Sequence, residues 1–142
     1  MRYLGIDLGS KTVGLAISDT TLTIASSLKT IFFKDENYSS TIDEIKEVIK
    51  EYNINKIILG LPKNMNNTLG ERANITIKYK ELLEASINIP IILFDERLTS
   101  VISNSILIEA DISRKKRKKK VDSIAAQIIL QDYLNKEKNE HE

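Results

Sequence analysis

Apolar positions recur every second residue at the start of the chain and shift to a helical period further on. From Tyr3 to Leu8 an extended backbone places Leu4, Ile6 and Leu8 on one face and Tyr3, Gly5 and Asp7 on the other. Thr12 to Ser18 (TVGLAIS) follows after the short link Gly9-Ser10-Lys11, which predicts a hairpin. A third β-rich run extends from Ile24 to Phe33. From Ser39 to Tyr52 the period becomes helical: Ile42, Ile45, Val48 and Ile49 form one stripe and Glu and Lys the opposite one. Ser and Thr mark the start of this helix and Asn53 its end. Lys56 to Leu61 (KIILGL) reads as a central strand covered on both faces and stopped by Pro62, after which comes the polar loop KNMNNTLG.

A helix is expected from Glu71 to about Ala85. Pro90 then introduces IILFDE, a second buried strand ending in Asp95 and Glu96. Thr99 or Ser100 is placed to cap a further helix reaching about Glu109, and Val121 to Leu134 forms the last one. The order βββαβαβαα predicts an α/β fold. Its five-stranded sheet is mixed, antiparallel over the first three strands and parallel over the remainder, with helices flanking it. Residues 1–135 fit a single domain, and the polar tail KEKNEHE, residues 136–142, is expected to be disordered.

Composition narrows the chemistry. The 142 residues contain no Cys and one His, His141, in that polar tail. Disulfides, thiolate nucleophiles and zinc ribbons are thereby excluded, and a terminal imidazole is poorly held for catalysis. Carboxylates, Lys, Ser, Thr and Tyr remain. No apolar run approaches membrane-spanning length and no secretory signal opens the sequence, so a cytoplasmic protein without a membrane partner is expected. The net charge of +1 conceals an asymmetry, since SRKKRKKK, Ser113 to Lys120, holds seven of the 21 Lys and Arg. Without it, 14 basic residues face 20 acidic ones. One dense basic segment on an acidic body points to an anionic partner engaged at one place, against the alternative of a solvated charged loop.

Three sets of acids interrupt apolar elements: Asp7, the pair Asp95-Glu96, and Asp122. Asp7 and Glu96 lie near the carboxyl ends of predicted strands, where ligands bind in open sheets with parallel strands. Asp122 shares a helical stripe with Ala126, Ile129 and Tyr133, and the small Ala125 and Ala126 permit close approach of that helix to the sheet. Carboxylates brought together repel unless a cation neutralises them. An oxygen-only ligand set favours Mg²⁺ or Mn²⁺, and a pair of such ions serves phosphodiester hydrolysis without His or Cys. The alternative for Asp7 is a solvent-facing acid on a half-buried strand.

GIDLGSKTVGLAISD, LGLPKNMNNTLGERA, FDERLTS and SRKKRKKKVDSIAAQIILQDYL, in that order and spacing, resemble the four signature blocks of the YqgF/RuvX family across nearly the whole chain. The resemblance implies an RNase H-like fold. It also implies one of two activities: a nuclease maturing the 5′ end of small-subunit ribosomal RNA, or a Holliday junction resolvase. It places Asp7, Glu96 and Asp122 at the family's acidic metal-binding positions, and it makes a structured RNA precursor or branched DNA the partner, with pre-ribosomal particles a further one. A binding module that assists ribosome assembly without cleaving is the alternative of a different class. Thr12 stands where many relatives carry Arg, and Asn67 where many carry Gly.

Candidate phosphate contacts are Lys11, Lys63, Asn64, Arg97 and the basic run Arg114, Lys115, Lys116, Arg117, Lys118 and Lys119. Arg97 is equally suited to an internal ion pair, and the residues after Pro62 to a plain turn. Gly9 to Thr12 (GSKT) lacks the Gly before Lys that a Walker phosphate loop requires. The resemblance of the opening to actin-like ATPases founders on length, because no second large domain fits. Asp19 and Asp95 are suited to turn and strand-end roles. Aromatic residues are too few and scattered for a base-stacking platform.

Overall fold

The computed structural model describes residues 1–9, 11–34, 37–61, 71–95 and 114–140. Five strands form one sheet: β1 (Arg2–Leu8), β2 (Thr12–Ser18), β3 (Ala25–Phe32), β4 (Ile54–Leu61) and β5 (Ile91–Asp95). Their spatial order is β3-β2-β1-β4-β5. The pairs β1–β2 and β2–β3 are antiparallel, with Asp7 opposite Gly14, whereas β1–β4 and β4–β5 are parallel. The mixed sheet is thus as the hydrophobic pattern predicts. The hairpin link closes through the Gly9 amide, which donates to Thr12 O at 2.7 Å.

Each sheet face carries its own core. On one face Leu4, Ile6, Leu8, Val13, Leu15, Ile57 and Leu59 pack with α1 (Ser39–Tyr52) and α2 (Glu71–Ser86). The expected stripe of α1 is the buried one: Ile42, Ile45 and Val48 face the sheet, with Ile49 partly covered. Asn53 ends α1 in the left-handed conformation at φ 55°, its amide donating to Ile49 O. The helix start differs from expectation, because Tyr38 takes the N-cap position without a side-chain cap bond. On the same face Tyr79 of α2 is 2% exposed and shares a hydrogen bond with Thr41 Oγ of α1, and burial pushes its phenol up to about 12.

The other face is covered by α3 (Arg114–Glu140), whose Ala126, Ile129, Leu130 and Leu134 pack with Tyr3, Ala16, Ala25 and Ile58. This helix is longer than the apolar pattern predicts at both ends. Its first two turns are the basic run, and its last turns include most of the tail expected to be disordered. The physical reason at the second end is polar anchoring, which hydropathy does not register: Glu137 is tied to Tyr3 and Lys56 of the sheet. The helix expected from Thr99 or Ser100 to Glu109 and the loop after Pro62 lie outside the described residues.

Candidate active site

Asp7 sits on the face that α3 covers. Strand alternation puts it with Tyr3 and Gly5, and both of these meet that helix. Asp7 is of intermediate burial and engaged with neighbouring groups. At Gly5 the helix lies close against the sheet. A Cβ built there would lie 2.8 Å from Leu130 Cβ and 2.9 Å from Ala126 O, so any side chain would collide with helix backbone. Ala126 itself is fully buried. Two residues along β1 from Gly5 lies Asp7, and one turn along α3 from Ala126 lies Asp122.

The direction of α3 matters here. Tyr3 at the start of β1 meets Glu137, whereas Gly5 meets Ala126 and Leu130, so helix and strand run in opposite senses. The N-terminal half of α3 is therefore carried toward the carboxyl end of β1, the end where β4 and β5 also finish. Phe94 of β5 belongs to the α3 face with Ile92. Glu96, Arg97, Lys63 and Asn64 lie outside the described residues. For Asp122, Arg114, Lys115, Lys116, Arg117, Lys118 and Lys119 the helical backbone is described and the side chains are not. Among the described residues no group of three or more Asp, Glu, His or Cys is close enough to hold a metal ion. Lys11 is exposed in the hairpin link four residues after Asp7.

Asp19 takes the turn role. Its Oδ1 accepts from the amides of Thr23 and Ile24 at 2.8 and 3.1 Å, and its Oδ2 accepts from the Thr21 hydroxyl at 2.6 Å. The hydroxyl, with the two amides, holds the carboxyl below its ordinary range. The turn's tight course is also seen in Leu22, at φ 59°.

Two polar attachments of α3 escape a reading by hydropathy. In the first, Gln131 Oε1 accepts from the Ala25 amide at 2.8 Å and its Nε2 donates to Thr23 O at 2.9 Å, while Gln127 Nε2 donates to Ala25 O at 3.1 Å. The amides substitute for ladder partners at the start of the edge strand β3. In the second, Tyr3 OH donates to Glu137 Oε1 at 2.8 Å, and Lys56 Nζ donates to Glu137 Oε2 at 3.2 Å and to Tyr133 OH at 3.3 Å. Lys56 also lies 4.8 Å from the Tyr3 ring centroid and 5.5 Å from that of Tyr133. Burial would raise Glu137, but the bonds from Tyr3 and Lys56 outweigh it and hold the carboxyl below its usual range. Burial would lower Lys56, and its bonds to Tyr133 and Glu137 reverse that and raise it. The available signal was spacing: Tyr133 and Glu137, and Gln127 and Gln131, are i,i+4 pairs.

The family described as "RuvX: Holliday junction resolvase" matches residues 1–136. A protein of Listeria monocytogenes named "Putative pre-16S rRNA nuclease" is 50% identical over 135 residues, covering 95% of this chain and 98% of the relative. One of the same name from Thermoanaerobacter pseudethanolicus is 50% identical over 140 residues, covering 98% and 99%. Among solved structures, Thermus thermophilus RuvC in complex with a Holliday junction substrate matches at TM-score 0.62 and 12% identity, over 98% of this chain and 96% of that one. The fowlpox virus Holliday junction resolvase matches at TM-score 0.56 and 18% identity, over 96% and 99%. At those identities the likeness is one of fold, and the fold is RNase H-like.

Proposed function

The chain belongs to the RuvX family, and on that premise we propose that it is a metal-dependent nuclease that hydrolyses phosphodiester bonds in the 5′-end maturation of pre-16S rRNA. The observation that carries the reading is the contact of Ala126 and Leu130 with Gly5, which lays the helix of Asp122 over the strand face of Asp7. In this reading Asp7 and Asp122, with Glu96 following β5, form an oxygen-only donor set. Three converging carboxylates need a counter-charge, and Mg²⁺ or Mn²⁺ fits both the donor type and the absence of Cys and of any His outside the tail. The alternation of β5, with Ile92 and Phe94 on the α3 face, supports Glu96 as the third member.

Divalent ions bound there supply water activation and stabilisation of the leaving oxygen. The protein's own contribution is placement. Asp7 is held on a strand paired on both sides, and Asp122 on a helix seated against it, so the carboxylates stand on rigid elements. Lys11, Lys63, Asn64, Arg97 and the run from Arg114 to Lys119 are the proposed phosphate contacts, which hold the backbone without reading its sequence.

A second reading, cleavage of four-way DNA junctions, is favoured by the fold shared with the RuvC and fowlpox resolvases. The test is purified protein with Mg²⁺ or Mn²⁺ on matched precursor rRNA and four-way junction substrates. Metal-dependent cleavage confined to the RNA is expected, abolished by chelator with binding retained. Cleavage of the junction alone favours the resolvase. Binding of RNA without turnover in either metal overturns the nuclease reading in favour of an assembly factor.

A further inference from the structure

We propose that Tyr3, Lys56 and Glu137 are positioning residues that set the register of α3 along β1, and through it the spacing of Asp122 from Asp7. The proposal rests on the nuclease reading for its catalytic consequence, but not for its structural one.

The apolar contact of α3 with the sheet is made by Ala126, Ile129, Leu130 and Leu134 against Tyr3, Ala16, Ala25 and Ile58. Such side chains keep a helix on the sheet, but burial is non-directional and does not by itself single out one register. The bare backbone of Gly5 offers no knob for the helix to lock against. Hydrogen bonds are directional. Glu137 is held at both carboxylate oxygens, by the Tyr3 hydroxyl on β1 and by the Lys56 ammonium on β4. Tyr3 and Lys56 are cross-strand partners, so the two donors form one rigid unit. Charge-assisted bonds of this kind lose strength steeply with misalignment. Lys56 also reaches Tyr133, one turn back on the same helix, and thus fixes the helix at two successive turns.

The clamp lies at the opposite end of β1 from Asp7, and Asp122 lies four turns of helix away from Glu137. An α-helix transmits an axial shift along its length, so a slide at Glu137 is a slide at Asp122. A misplacement of about 1 Å in a catalytic group costs on the order of 100-fold in rate. The Gln127 and Gln131 bonds to Thr23 and Ala25 join the helix to the other side of the sheet, and they end on an edge strand. The clamp instead reaches β1, the strand of Asp7 itself.

The test compares Tyr3→Phe, Glu137→Gln and their double variant with Tyr79→Phe. The last removes a buried tyrosine hydrogen bond from the opposite face of the sheet. The chain has no Cys, so spin labels on Lys11→Cys and Lys138→Cys report the distance along the axis of α3. A broadened or shifted distance is expected in the clamp variants and not in Tyr79→Phe, whatever the metal content. In the unlabelled proteins kcat is expected to fall on the order of tenfold with KM for nucleic acid unchanged, as for lost alignment. The double variant is expected to cost less than the sum of the two single ones, because Tyr3 and Lys56 act through the one carboxylate of Glu137. Unchanged distances, or equal effects from Tyr79→Phe at matched melting temperature, overturn the proposal. If distances shift as expected but the wild type cleaves nothing, the register role stands and the nuclease reading fails.

Discussion

Asp7 and Gly5 share one strand face, Gly5 as the point where the helix comes close and Asp7 as the proposed metal-binding acid. Gly5 provides the gap into which α3 settles, and Asp7 stands two residues further on, toward the open ends of the parallel strands. Gly5→Ala is therefore expected to cost about 1–3 kcal/mol, as for an overpacked core, since Leu130 Cβ and the Ala126 carbonyl oxygen, not a flexible side-chain tip, meet the new methyl first. Chemical denaturation measures the loss, and activity should fall further than stability alone explains because α3 is pushed from Asp7. The isosteric changes Asp7→Asn, Glu96→Gln and Asp122→Asn should each abolish cleavage and leave nucleic-acid binding in place. Without metal, relief of carboxylate repulsion should hold or raise the melting temperature. Wild-type cleavage by all three in one Mg²⁺ titration would dismiss the site. Asp7 was legible as a candidate because a carboxylate in an apolar strand is anomalous. Glu137 was not, because an acid among Lys and Asn near the end of a chain is ordinary until Tyr3 and Lys56 are seen beside it.

At the scale of the element, α3 joins the basic run, Asp122 and the sheet-packing stripe in one helix. Seven cations in its first two turns oppose the helix dipole, which prefers anions at that end. Replacing Lys115, Lys116, Lys118 and Lys119 with Gln should accordingly leave the helical circular dichroism undiminished. It should also weaken nucleic-acid binding and flatten its dependence on salt, because fewer counterions are released. Binding isotherms at several salt concentrations decide the point, and coincident slopes for variant and wild type would assign the run to bulk solvation. Periodicity located the stripe Ala126, Ile129 and Tyr133 correctly. It placed both helix ends wrongly, because a run of Lys and a run of Lys, Glu and Asn carry no apolar period even where backbone and polar contacts continue the helix.

Across the whole molecule, the two faces of the sheet are independent cores with different electrostatics. On the α1/α2 face Tyr79 is held at about 12 by burial, above the 10.0 of a free phenol. Its folded pKa is raised, so its contribution is fully present below pH 10.0 and is lost as pH rises toward about 12, where the unfolded chain ionises first. The loss should reach about 2–3 kcal/mol. Urea midpoints measured across that window should fall in the wild type and fall less in Tyr79→Phe. On the α3 face Glu137 has a lowered pKa, so its contribution disappears as pH falls through its folded value.

Alternation and period in the sequence determined the strand order in time, the mixed sheet, the identity of the α1 stripe and the anomaly of Asp7, because each is a local property of neighbouring residues. The separation of the core into two faces, the seat of α3 on Gly5, and the joining of Tyr3, Lys56 and Glu137 were decided only by tertiary structure. These join residues more than 50 and up to 134 positions apart, where no spacing rule operates. A polar group's partner is set by what the fold carries past it, and that is information no single stretch of chain contains.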